Sequence, residues 1–243
     1  VVLAGTGIAI MFKSSLKSND FLKFNILRKR ILKRALFLFI TGLILMTFWI
    51  GDILHFYGVY MLFMLLLLRK KSIYILLSGI IILMIFPLLL FFLDYETSWN
   101  FQKLEYYDLW TINGFIRNLF FNGFHPVFPW LSFMFFGYLL GKQNLRDNKT
   151  INKIFCISLI SFILVQLFSY YSISFFTNEL KINREELFYL IGTGSMPPLP
   201  IYILNGTSIA FVIITGCIIL SKKFSDYLII DALQKTGKLS LTI

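Results

Sequence analysis

Long apolar runs follow one another along the chain, separated by short and mostly basic stretches. They lie near 1–12, 35–50, 53–68, 72–93, 124–141, 154–176, 199–220 and 236–243. A helix needs roughly 20 apolar residues to cross hydrocarbon. The pattern therefore predicts an all-α fold, a polytopic transmembrane bundle of about eight helices. The first and last runs are too short to span, so both are expected to be pieces of helices truncated by the chain ends. No basic segment precedes the first run as a secretory signal would require. Without a repeat, a low-complexity tract or a separate soluble segment, residues 1–243 read as one transmembrane domain.

The punctuation adds detail. The turn at 51–52 is so short that the runs beside it must form an antiparallel hairpin. Pro87, inside the run 72–93, predicts a kink or an irregular end to that helix. The spacing Gly137 to Gly141 suits a close helix crossing. Prolines and glycines in "GTGSMPPLP" (192–200) set the entry into the next helix, and "GTG" lacks the strand context of a phosphate loop. "NGT" (205–207) lies inside a span, which makes it a chance match to a glycosylation sequon.

Composition agrees. At 58% hydrophobic and 18% aromatic, the chain has too few polar residues to wrap a soluble core. The net charge of +11 would suit nucleic acid, but its placement excludes that partner. Segments 13–34, 69–71, 142–153 and 222–238 hold 19 Lys/Arg against 4 Asp/Glu, and the alternating loops hold 4 against 8. Such a bias puts the basic loops in the cytoplasm of a multi-pass plasma-membrane protein, with membrane lipids around it. Cys156 and Cys217 then fall near cytoplasmic helix ends, where a reducing compartment favours two buried thiols over a disulfide.

The candidate chemistry is concentrated. Asp52, in "FWIGDILHFYGVY" (48–60), is a natural cap for the helix that follows, and His55 comes three residues later. A carboxylate beside an imidazole orients it and raises its basicity, as a general base requires. The second of the two histidines, His125, precedes a helix that starts on the same outer face. Asp52, His55 and His125 are therefore the candidate catalytic residues. Two histidines without a third ligand make a poor zinc set, so no metal is expected. Arg28, Lys29, Arg30 and Arg34, in the basic segment 13–34, are either a positive-inside anchor or candidates to hold the phosphates of a nucleotide-like cofactor or of lipid headgroups. The loop 94–126, with Tyr95, Trp99, Tyr106, Tyr107 and Trp110, is either an interfacial aromatic belt or a lid and acceptor surface.

Four stretches carry a family resemblance. "RALFLFITGLILMTFWIGDILHFYGVY" (34–60) resembles the Gly-Asp-Ile-Leu turn region of the YeiB-like bacterial membrane proteins. "NGFHPVFPWLSFMFFGYLLGK" (122–142) resembles the Pro-Trp helix of the wider heparan-alpha-glucosaminide N-acetyltransferase-like family. "MPPLPIYILNGTSIAFV" (196–212) and "GKLSLTI" (237–243) are similar to that group's penultimate helix and Gly-x-x-Ser/Ala-Leu-Thr signature. The resemblance implies a membrane-embedded acyltransferase that moves an acyl group, acetyl first of all, from cytoplasmic acetyl-CoA or another acyl-CoA to an extracytoplasmic glycan. It also places the family's principal catalytic histidine upstream of Val1. The competing reading is a transporter or flippase for a lipid-linked or small solute, with a non-catalytic membrane protein as a third. A transporter predicts ionisable residues near mid-span. Here the most polar mid-span side chain is Gln166.

Overall fold

A computed structural model describes residues 1–16, 21–181, 183–224, 227, 230, 232, 233 and 235–237. Among these residues, seven long or medium helices form the bundle: α1 (Val2–Leu16), α2 (Phe21–Met46), α3 (Leu54–Leu67), α4 (Ser72–Leu90), α6 (Val127–Lys142), α7 (Asn148–Leu180) and α9 (Pro200–Lys223). Two shorter ones, α5 (Ile112–Arg117) and α8 (Arg184–Ile191), sit in the connections, with a two-stranded ribbon of β1 (Trp99–Asn100) and β2 (Glu105–Tyr106). Helices α4, α7 and α9 are long and apolar enough to cross a membrane, and α1, α3 and α6 carry shorter apolar stretches. The molecule is an all-α membrane bundle. Of the expected run 236–243, residues 238–243 lie outside the described residues.

Helix α6 is the hub, packing on α1, α3, α4 and α9, while α2 pairs with α3 and α7 with α9. The α1–α6 crossing is close because it is made through glycine: a Cβ on Gly137 would overlap the Val2 carbonyl oxygen, and one on Gly141 that of Thr6. The Thr6 hydroxyl donates to the Gly137 carbonyl at 3.0 Å, which seals the contact. The expected small-residue contact at Gly137 and Gly141 is thus a real one.

Where sequence expectation and structure differ, the differences have physical causes. Residues 21–34 of the basic segment and the next apolar run are one helix, α2, because Leu27, Ile31 and Ala35 continue a buried stripe across the boundary. Helix α4 runs through Pro87 and stops at Leu90, a turn later. The irregularity falls instead in α6, where Phe128 (φ −93°, ψ 118°) leaves the helical region ahead of Pro129. Cys156 and Cys217, expected to be buried, are free and exposed. Helices α7 and α9 bury their stripes mainly against each other, which leaves their remaining faces on the bundle perimeter.

The two ends of the bundle differ. At one, Lys13 donates to the Gln143 carbonyl (3.0 Å), Lys142 to that of Lys70 (3.5 Å), and Lys222 to that of Arg146 (2.8 Å). We call this the basic end. The opposite, histidine end carries the 47–53 turn and the 91–126 connection.

Candidate functional site

The 91–126 connection is built around two polar side chains. Asn122 is fully buried. Its amide donates to the carbonyls of Tyr95 and Thr97 at 3.0 Å each, and its Oδ1 accepts from the Tyr106 hydroxyl at 2.8 Å. Arg117 donates to Tyr106 (2.8 Å), Ser98 (2.6 Å) and Asp108 (2.6 Å). Desolvation opposes the charged form of Asp108, but the hydrogen bonds with Arg117 and Ser98, together with the Arg117 charge, outweigh it and hold the carboxyl below its usual range. Of the five aromatics expected to present a surface, Trp99 and Tyr106 are buried and only Tyr107 and Trp110 are largely exposed. A connection tied this closely holds His125 in a fixed place at the start of α6.

Asp52 lies one residue outside the cap position, which Ile53 occupies without a side-chain bond. The carboxylate reaches over Ile53, so Oδ2 accepts from the backbone N–H of Leu54 (2.8 Å) and of His55 (3.3 Å). The same oxygen is 3.2 Å from His55 Nδ1. Asp52 is therefore both the cap of α3 and the partner of the imidazole. Gly42 on α2 makes this possible, since a Cβ there would overlap the His55 backbone nitrogen and lie 2.8 Å from Asp52 Oδ2.

His55 is 1% exposed. With the Nδ1 proton directed at Asp52, the lone pair falls on Nε2, which is buried and has no partner among the described residues. That is the arrangement of an oriented general base. Phe56 joins the two histidines, its ring centroid 3.9 Å from His55 and 6.0 Å from His125. The His125 ring stands edge-on to Trp130 at 4.5 Å, and its carbonyl accepts from the Tyr60 hydroxyl at 2.5 Å. His125 Nδ1 and Trp130 Nε1 are also buried without partners among the described residues. Three unmatched polar atoms in one buried neighbourhood mark it as built for something other than packing. Tyr202 of α9 closes the cluster, 5.8 Å from Trp130.

Asp52, His55 and His125 are thus brought together. Tyr60, Trp130 and Tyr202 were missed, because no spacing in the sequence tells an ordinary core aromatic from one beside a histidine. The basic candidates fare differently. Arg28, Lys29 and Arg30 are exposed and successive on α2, so each points roughly 100° from the last. Arg34, half-buried, shares only the Arg30 face, and the four do not converge. Convergence occurs elsewhere at that end: a cavity of about 450 Å³ is lined by Lys13, Arg69, Lys70, Lys71 and Lys142. The run at 69–71 was the visible part of it. The other two cations come from α1 and α6, and only folding adds them.

The sequence model of the family described as "Heparan-alpha-glucosaminide N-acetyltransferase, catalytic" matches residues 1–177. The chain belongs to this family. No curated protein and no solved structure matches it. The heparan-alpha-glucosaminide N-acetyltransferase match takes in α1 to α6 and nearly all of α7, hence Asp52, His55, His125 and the basic cavity. An acetyltransferase-like domain in a membrane bundle is the coarse identity of the protein. Helices α8 and α9, which supply Tyr202, lie beyond the matched stretch.

Proposed function

We propose that the protein transfers an acyl group, acetyl in the first instance, from acyl-CoA to a hydroxyl or amine of a glycan across the plasma membrane. The observation that carries this reading is the Asp52–His55 pair with its unpartnered, buried Nε2, found in a chain of an acetyltransferase family. In the reaction, His55 Nε2 takes the proton of the acceptor as its oxygen or nitrogen attacks the thioester carbonyl. The C–S bond breaks, and the leaving CoA thiolate takes that proton back from the imidazolium. Asp52 stabilises the imidazolium in between.

The charge bias supports a cytoplasmic basic end and an extracytoplasmic histidine end. The donor's phosphates then belong in the cavity of Lys13, Arg69, Lys70, Lys71 and Lys142, where ammonium and guanidinium groups offer charge-assisted hydrogen bonds. Arg28, Lys29, Arg30 and Arg34 supply the surrounding field. From Leu68, at the cavity wall, back to His55 the chain of α3 covers about 20 Å at 1.5 Å per residue. The thioester arm must therefore thread between the helices to deliver its acyl group.

The test is acyl transfer from labelled acetyl-CoA by the full-length protein in nanodiscs, over a panel of amino-sugar and neutral glycans. His55→Gln removes the base and is expected to lower the rate by about 10²–10⁴. In parallel, calorimetry with CoA should give binding that Lys70→Ala and Lys142→Ala weaken together. Near-wild-type transfer by His55→Gln, or no CoA binding by the wild type, overturns the reading.

A further inference from the structure

Lys13 stands between two cavities at the basic end. On one side is the cavity it shares with Arg69, Lys70, Lys71 and Lys142. On the other is a second cavity, about 550 Å³, formed by Ile10 and Lys13 of α1, Gly141 of α6 and residues 143–146 of the α6–α7 connection. Lys13 is the one residue common to both linings. Among the described residues, the second lining holds two cations, Lys13 and Arg146, and no carboxylate. The next acid along the chain, Asp147, is committed to the start of α7, where Oδ2 accepts from the Thr150 N–H (2.9 Å) and hydroxyl (2.7 Å). The Lys13 ammonium donates to the carbonyls of Lys142 (3.3 Å) and Gln143 (3.0 Å), which fixes it in place and leaves its third N–H for a ligand. The Arg146 backbone is held on both sides, its N–H by Asn144 Oδ1 (3.3 Å) and its carbonyl by Lys222 (2.8 Å). Arg146 is exposed, and its guanidinium meets no carboxylate among the described residues. A held ammonium, a guanidinium and the Asn144 amide together form a donor set for phosphate oxygens.

The apolar wall tells what carries the phosphate. Ile10, in the lining, and Leu3 are each more than half exposed. With Gly7 they fall within about 60° of one another on α1, at roughly 100° per residue. They form one stripe that leaves the cavity and runs about 10 Å toward the histidine end, at 1.5 Å per residue. Gly7 notches that stripe, since a Cβ there would meet nothing within 4 Å. The apolar stretch of α1 ends at Lys13, so the donor set sits where hydrocarbon gives way to headgroups. A phosphate at Lys13 and Arg146 joined to a hydrocarbon chain along the stripe is a phospholipid. Charge narrows the class. Two cations without a carboxylate favour a headgroup that is negative overall, whereas a zwitterionic one would bring a third positive charge among them.

We infer that the cavity between α1 and the α6–α7 connection is a binding site for one anionic phospholipid, its phosphate on Lys13 and Arg146 and an acyl chain along Leu3, Gly7 and Ile10. The site stands apart from acyl transfer, because no residue of the histidine cluster takes part in it. The full-length protein, delipidated in a neutral detergent, is titrated with phosphatidylglycerol, with phosphatidylcholine of the same chains, and with glycerol phosphate; native mass spectrometry counts the bound molecules. One phosphatidylglycerol should bind ahead of all others and more tightly than phosphatidylcholine, and glycerol phosphate, which lacks the chains, should not bind. Arg146→Ala should weaken phosphatidylglycerol about fivefold, the scale of one basic group at a membrane surface, and narrow its lead over phosphatidylcholine. The variant keeps the backbone bonds of residue 146, so the connection stays folded. Gly7→Leu fills the notch and should weaken both phospholipids while keeping the ratio between them. Lys153→Ala removes an exposed cation of the same end that lies outside the cavity, and it should bind like wild type. Equal weakening by Lys153→Ala and Arg146→Ala would mean a diffuse basic surface and overturns the site. Glycerol phosphate binding as tightly as phosphatidylglycerol overturns the lipid as its occupant. A loss of CoA affinity in Arg146→Ala as large as its loss of lipid gives the cavity to the acyl donor and overturns the inference too.

Discussion

At the scale of single residues, Asp52 performs two tasks with one oxygen, capping α3 and orienting His55. The two can be separated. Asp52→Asn keeps an acceptor for the Leu54 N–H and loses the charge that stabilises an imidazolium. It should retain most of the stability that Asp52→Ala forfeits, about 0.5–2 kcal/mol, while both variants lose acyl transfer; thermal unfolding and rate measured on the same samples decide. Gly42 offers an independent check, because it touches neither reactant. Gly42→Ala inserts a methyl into the His55 backbone and against the Asp52 carboxylate. It should cost about 1–3 kcal/mol, the usual range for overpacking, and depress activity although Asp52 and His55 are intact. Activity equal to wild type in that variant would show that the pair needs no fixed geometry. The Asp52–His55 contact was legible because it is local, three residues along one chain segment. The bond from Tyr60 to the His125 carbonyl, between partners 65 positions apart, was not.

At the scale of elements, two kinds of helix contact hold the bundle. The α1–α6 crossing depends on backbone proximity at Gly137 and Gly141. Gly137→Leu should separate these helices and lower the unfolding temperature in nanodiscs sharply, whereas Gly7→Leu should not, since nothing lies within 4 Å of a Cβ at Gly7. The α7–α9 pair is joined by polar side chains instead, Gln166 to Asn205 at 3.1 Å and Ser161 to Ser208 at 3.0 Å. Such bonds contribute modestly within a bilayer. A double-mutant cycle of Gln166→Leu and Asn205→Leu should return a coupling of roughly 0.6 kcal/mol. Gln166 stood out in the sequence as the most polar mid-span residue, and its partner on α9 explains how it is accommodated.

At the scale of the whole molecule, the charge asymmetry becomes a statement about orientation. The proposed topology turns the basic end inward. Single cysteines placed at Arg30, Lys70, Arg146, Lys222 and Trp110, in a background lacking Cys156 and Cys217, should distinguish the ends with an impermeant thiol reagent in intact cells. Position 110 should label and the other four should not. The reverse result would invert the donor and acceptor sides together. Both native cysteines must be removed for this test, since both are exposed.

The sequence alone determined the class, the rough places of the long apolar helices and the pairing of Asp52 with His55. Each of these is written locally, in apolar run length, in the shortness of a turn, or in a three-residue spacing on a helix. Tertiary structure decided which distant residues meet. It set His125 against Phe56 and Trp130, gathered Lys13, the 69–71 run and Lys142 around one cavity, and left Arg28, Lys29 and Arg30 pointing apart. The reason is that every apolar helix in a membrane protein looks alike in sequence. Hydrophobicity places a helix in the bilayer without naming its neighbour, and the neighbour is chosen by close contacts such as Gly137 on Val2, which exist only once the helices have packed.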